Sequence, residues 1–98
     1  MQRDQDIWEN ILNQLEEHIN EHSFKTWFSD TTLVDIDGNE LHVQVPTKFY
    51  ADYMNQNYSK LLAEISYALY KKEYSVRFSN VPYKRQRNNG NVSLNGNG

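Results

Sequence analysis

The sequence predicts a small α+β domain in the order α-α-β-β-α-β, with a three-stranded sheet packed against helices. Three observations predict it. Two early runs repeat apolar residues every three or four positions. Two alternating, β-branched segments then flank a glycine-containing turn. Finally a proline-threonine pair opens a third helical run, followed by one last alternating segment.

The first run spans Asp6 to Ile19, with Ile7, Trp8, Ile11, Leu12, Leu15 and Ile19 on one stripe and Glu9, Asn13, Glu16 and Glu17 between them. Asp6 is expected to cap its first turn, because a side-chain oxygen there can accept from an otherwise unpaired backbone N–H. Asn20-Glu21-His22 breaks the pattern, and Ser23 is the expected cap of a short second helix carrying Phe24, Trp27 and Phe28. Thr32 to Ile36 and Leu41 to Val45 alternate and are joined by Asp37-Gly38-Asn39-Glu40, the composition of a β-hairpin. Leu41, Val43 and Val45 are expected to face the core.

Pro46 cannot continue a strand ladder, and Thr47 can cap a long helix running to about Tyr70. Its apolar positions include Phe49, Tyr53, Met54, Leu61, Leu62, Ile65 and Leu69. Tyr74, Val76 and Phe78 then alternate with Ser75, Arg77 and Ser79, which predicts a third strand. The expected boundaries are a folded domain over 1–82 and a flexible linker or tail over 83–98, where apolar residues are too few to offset the entropy of ordering.

A chain of 98 residues supports one core of this kind, and its 38% hydrophobic and 13% aromatic content gives the rings much of the burial to do. With no cysteine, disulfides and thiolate chemistry are ruled out. Neither a secretory leader nor a run of about 20 apolar residues is visible, so a cytoplasmic protein without membrane contact is expected. The net charge of −3 divides unevenly: residues 1–45 carry ten acids and two bases (−8), and residues 46–98 carry three acids and eight bases (+5). A divided surface disfavours strong duplex binding, which needs one concentrated basic face.

Reactive chemistry finds no support. The only glycine before residue 90 is Gly38, so no phosphate-binding loop exists and no cofactor is expected. His18 and His22 have the spacing of a helical metal pair, but solvated histidines are the plainer reading, and no metal site is expected. Asp35 and Asp37 are spaced like an acid-base pair, yet a strand end and its turn explain them. There is no G-x-S-x-G, and no catalytic residue is expected.

The aromatic residues are more informative. Trp8, at the start of the first helix, has two readings: a self-association contact, or packing against the third strand. Trp27, between Phe24 and Phe28, reads as core. Phe49 and Tyr50 are adjacent on a helix, so at most one ring can point fully inward; the other is either a partner anchor near Ser23 or part of a hydrophobic staple. Tyr83, Lys84, Arg85 and Arg87 could make a weak single-stranded nucleic-acid contact, against the plainer reading of a solvated linker start.

The run Ile7-Trp8, Ile11-Leu12 and Leu15, then Ser23-Phe24-Lys25-Thr26-Trp27-Phe28, then Leu41 through Val45, Pro46-Thr47-Lys48-Phe49 and Asp52-Tyr53, resembles the N-terminal domain of DnaA, the bacterial chromosomal replication initiator. The likeness covers about Ile7 to Val81. It implies a KH-like fold and a role in DNA replication initiation. It further implies docking of the replicative helicase, a helicase loader or regulators of initiation, with weak homodimer formation. DNA-binding and ATP sites would lie in other domains. By position, Trp8 would serve self-association, while Ser23, Phe24, Thr47, Phe49 and Tyr50 would lie on or near the partner face. Where some relatives carry glutamate, asparagine and tryptophan, this chain has Ser23, Thr47 and Tyr53. A fragment of an initiator and a free-standing regulator from a mobile element both fit the sequence, as does a weak nucleic-acid-binding module.

Overall fold

The computed structural model describes residues 4–83. Six elements follow in the expected order: α1 (Asp4–Leu15), α2 (Glu21–Phe28), β1 (Thr32–Asp37), β2 (Glu40–Gln44), α3 (Lys48–Tyr70) and β3 (Ser75–Ser79). Element types agree with the sequence reading, and the differences lie at the ends.

Helix α1 begins at Asp4, so Asp6 sits in its first turn rather than at its cap. It stops at Leu15, after which the amides of Glu17 and His18 bond to carbonyls three residues back and tighten the chain into a turn. Helix α2 is capped by Asn20, whose side-chain oxygen accepts from the Ser23 amide at 2.7 Å. Ser23 therefore donates its amide proton to the cap and is not the capping residue. Glu21 at the first helical position favours this start, since a carboxylate there complements the positive end of the helix. His18 and His22 thus fall in different elements, and the helical spacing of a metal pair is lost. Thr47 caps α3 as predicted, its hydroxyl oxygen accepting from the Tyr50 amide at 3.2 Å.

The sheet order is β1-β2-β3. β1 and β2 pair antiparallel from Thr32↔Gln44 to Asp37↔Glu40, with a register shift between Leu33 and Asp35 that leaves Val34 as the extra residue of a bulge. Only Gly38 and Asn39 remain in the turn. Gly38 has φ +64°, the left-handed value a tight hairpin needs at its first central residue. β2 and β3 pair parallel, from Glu40↔Ser75 to Gln44↔Ser79. Parallel neighbours need a long crossover, which α3 supplies.

One core fills the space between helices and sheet. Trp8, Ile11 and Leu15 come from α1 and Phe28 from α2; Leu33, Leu41, Val43, Val45, Val76 and Phe78 come from the sheet and its margins; Ala51, Met54, Leu62 and Ile65 come from α3. Ser66 is the one buried polar side chain among the described residues. Its hydroxyl accepts from the Tyr74 amide at 2.9 Å and shares its proton between the carbonyls of Ala63 (2.8 Å) and Lys72 (3.2 Å), tying the end of α3 to the start of β3. Asn55 performs a related task midway along α3. Its amide donates to the Phe78 carbonyl and accepts from the Phe78 N–H, both at 2.9 Å, on the side of β3 that no strand covers.

Candidate docking site

The aromatic residues divide into a closed group and an open one. The closed group is built around Phe78. Trp8 packs edge-on to it at 6.3 Å, and Phe28 does the same at 6.2 Å. Trp8 is only 3% exposed, and its indole N–H donates to the Thr31 hydroxyl at 3.2 Å, which in turn donates to the Phe28 carbonyl. Burying an indole requires a partner for its N–H, and Thr31 provides one. The geometry therefore supports the packing reading of Trp8. In this conformation the indole has no surface to offer a second copy.

The open group lies on the other side of α3. With 3.6 residues per turn, Phe49 and Tyr53 fall about 160–200° around the helix from Ala51, which heads the buried stripe of Ala51, Met54, Leu62 and Ile65. Their rings meet Trp27 of α2 instead. Trp27 stacks on Tyr53 at 4.0 Å with 12° between planes, and lies 5.0 Å from Tyr50 and 6.0 Å from Phe49. Phe49 is 68% exposed and Tyr53 36%, while Trp27 and Tyr50 are half-buried. Trp27 thus belongs to a surface array while also packing against the core, so the expectation that it is core is met only in part. The ring it stacks on lies 26 residues away, on a separate element, so its own helical spacing carried no sign of it.

The remaining candidate residues frame this array. Tyr58 contacts Tyr53 at 6.2 Å and Phe28 at 5.1 Å, joining the open group to the closed one. Burial raises the Tyr58 phenol above its usual range and Tyr53 adds to the effect, while a hydrogen bond with Ser23 opposes both. Phe24 is half-buried and stacks on Phe28 at 5.9 Å, and Thr47 holds the first turn of α3 that presents Phe49. Two exposed ion pairs stand nearby on the same helices, Lys48–Asp52 at 2.8 Å and Lys25–Glu21 at 3.2 Å. Each pairs its charges on one helix, which leaves the array itself uncharged.

Sequence reasoning chose Phe49 and Tyr50 but missed Trp27 and Tyr53 as surface residues. A signal for Tyr53 was present in the spacing of α3: once Ala51, Met54, Leu62 and Ile65 define the inner stripe, position 53 lies off it. Of the proposed nucleic-acid contacts, Lys84, Arg85 and Arg87 lie outside the described residues. Tyr83 is described, and one face of its ring is already taken by His42 at 3.8 Å and 17°.

Fold and site together define a small α+β module with an uncharged aromatic array on its helical side. The chain belongs to the DnaA N-terminal domain family, whose model matches residues 5–68. It is 38% identical over 56 residues to the chromosomal replication initiator protein DnaA of Flavobacterium psychrophilum, covering 57% of this chain and 12% of that protein. To the DnaA of Thermodesulfovibrio yellowstonii it is 29% identical over 72 residues, covering 74% of this chain and 16% of that protein. The matched stretch is thus a small part of either relative. No helix among the described residues is long and apolar enough to cross a membrane.

Proposed function

We propose that this domain acts in the initiation of DNA replication as a non-catalytic, cytoplasmic docking module that binds protein partners through Phe49 and the rings around it. Membership of the DnaA N-terminal domain family supports the process. The observation that carries the site is the exposure of Phe49, 68%, at the head of a pre-stacked array. A large ring held outward by rigid neighbours loses little freedom on binding and removes apolar surface from water, the usual make-up of a binding hot spot. The partners that fit are the replicative helicase, a helicase loader or a regulator of initiation.

The test compares Phe49→Ala with Tyr67→Ala, a control at an aromatic position 54% exposed outside the array. Binding to purified helicase, loader and regulators is measured by calorimetry, and folding by thermal melting. Phe49→Ala is expected to weaken binding at least about tenfold, and Tyr67→Ala to leave it unchanged. A folded Phe49→Ala protein with full affinity for every such partner would overturn the assignment.

A further inference from the structure

The face of the sheet turned away from the helices is crossed in part by the chain that follows β3. Strand side chains alternate between faces, so Leu41, Val43, Val76 and Phe78 point into the core, and His42, Gln44 and Arg77 point out on the opposite side. After Ser79 the chain bends sharply. The Val81 amide donates to the Ser79 hydroxyl at 3.2 Å, and the Gln44 side-chain amide donates to the Asn80 carbonyl at 3.1 Å. The segment then runs back over β2. Tyr83 lies flat on the His42 ring at 3.8 Å, and its hydroxyl donates to Asp37 at 3.3 Å, beside the hairpin turn. The Glu40 carboxylate lies 3.1 Å from the His42 Nε2 without completing a hydrogen bond to it, and accepts from Arg77 at 2.7 Å. The bent segment and the sheet border a half-open pocket of about 150 Å3, lined by Val34, His42, Gln44, Arg77, Val81 and Tyr83.

We propose that residues 79–83 are a latch that fixes where the chain leaves the domain, on the open face of the sheet and across the molecule from Phe49. Three contacts at separate points hold it: Gln44 to Asn80, Tyr83 to His42, and Tyr83 to Asp37. The segment lies outside the family match, which ends at residue 68, and composition alone assigns Tyr83 to a tail. Its sense in the molecule rests on the docking reading above. With the latch shut, Tyr83 lies on the face of the sheet away from the helices, whereas the aromatic array is built on α2 and α3.

The latch is tested by limited trypsin digestion of the full chain, following cleavage after Lys84 by mass spectrometry. The protease must draw several residues on each side of the bond into its cleft, which the closed latch resists. Tyr83→Ala is expected to speed this cut by about 2- to 10-fold, the range corresponding to loss of one aromatic pair. Tyr83→Phe, which keeps the stack and loses only the Asp37 bond, is expected to stay near the unmutated rate. Internal cleavage after Lys60 reports on the fold and should not change. In NMR spectra the His42 ring protons should lose the upfield shift that the Tyr83 ring imposes, in the alanine variant alone. Equal cleavage rates with unchanged His42 resonances in Tyr83→Ala would overturn the latch. Partner binding by the same variants reads the other proposal separately: a latch variant that opens yet binds normally upholds both, and loss of binding in Phe49→Ala alone bears only on docking.

Discussion

Trp8 and Trp27 sit on consecutive helices, each among apolar neighbours at three- and four-residue spacing, yet one is sealed into the core and the other helps build a surface. The difference arises from what faces them. Opposite Trp8 stands Phe78 of the last strand, with Thr31 placed to take the indole proton. Trp27 touches the core with part of its surface, and the rest meets rings from the outer side of α3, which cover it only in part. An amphipathic helix decides that a ring will lie on its apolar face. Whether that face is then closed depends on elements supplied from far along the chain.

The comparison breaks most easily at Trp8. Trp8→Ala is expected to cost about 3–5 kcal/mol, the usual range for emptying a core of an aromatic ring. That corresponds to a fall in Tm of roughly 12–40 °C in a domain of this size. Circular dichroism melting checks it; a Trp8→Ala protein with an unchanged Tm but an altered sedimentation profile would move Trp8 to an interface and undo the contrast. A smaller effect is expected at Asn55. Asn55→Ala leaves the N–H and carbonyl of Phe78 without their partner and should cost about 1–3 kcal/mol. Denaturant unfolding with an unchanged m-value would confirm that the native state alone is affected.

On the open side the expected stability changes shrink. Phe49→Ala should alter unfolding free energy by no more than about 0.5 kcal/mol, because the ring is mostly in water already. A loss as large as that at Asn55 would show that the array is part of the core. Smallest is the effect of Glu40, whose carboxyl is held below the ordinary value of 4.5 chiefly by its hydrogen bond from Arg77. A carboxyl depressed in the folded state adds stability that is present above its unfolded value and lost as pH falls through the folded one. Glu40→Gln should therefore lower Tm at pH 7 by about 2 °C or less. The gap should close as the pH falls through the lowered folded-state value of the carboxyl. A gap that persisted at low pH would mean that packing, and not charge, is at stake.

Much of the fold was legible in the sequence because it is written in local signals. Thr47 follows a proline and caps α3, Gly38 marks the hairpin, and Leu41, Val43 and Val45 alternate inward as expected. The start of α2 was misread because Asn20 and Ser23 are both good caps three residues apart, and only the hydrogen-bond direction separates them. The parallel pairing of β2 and β3 was not specified by alternation, which is the same for either strand direction. Half of the candidate site was found, at Phe49 and Tyr50, since two adjacent rings cannot both turn inward. The other half, Trp27 and Tyr53, is a contact between helices whose relative placement no local pattern encodes. The return of Tyr83 to His42 spans 41 residues and escaped for the same reason.

The bidentate grip of Asn55 on Phe78 also bears on how these chains behave in number. An uncovered strand is a template on which a neighbour's backbone can add, and repeated addition is the route to fibres. One carboxamide occupies the N–H and C=O that such a newcomer would need at the middle of β3. Backbone addition at the middle of this edge would first have to displace that carboxamide from Phe78.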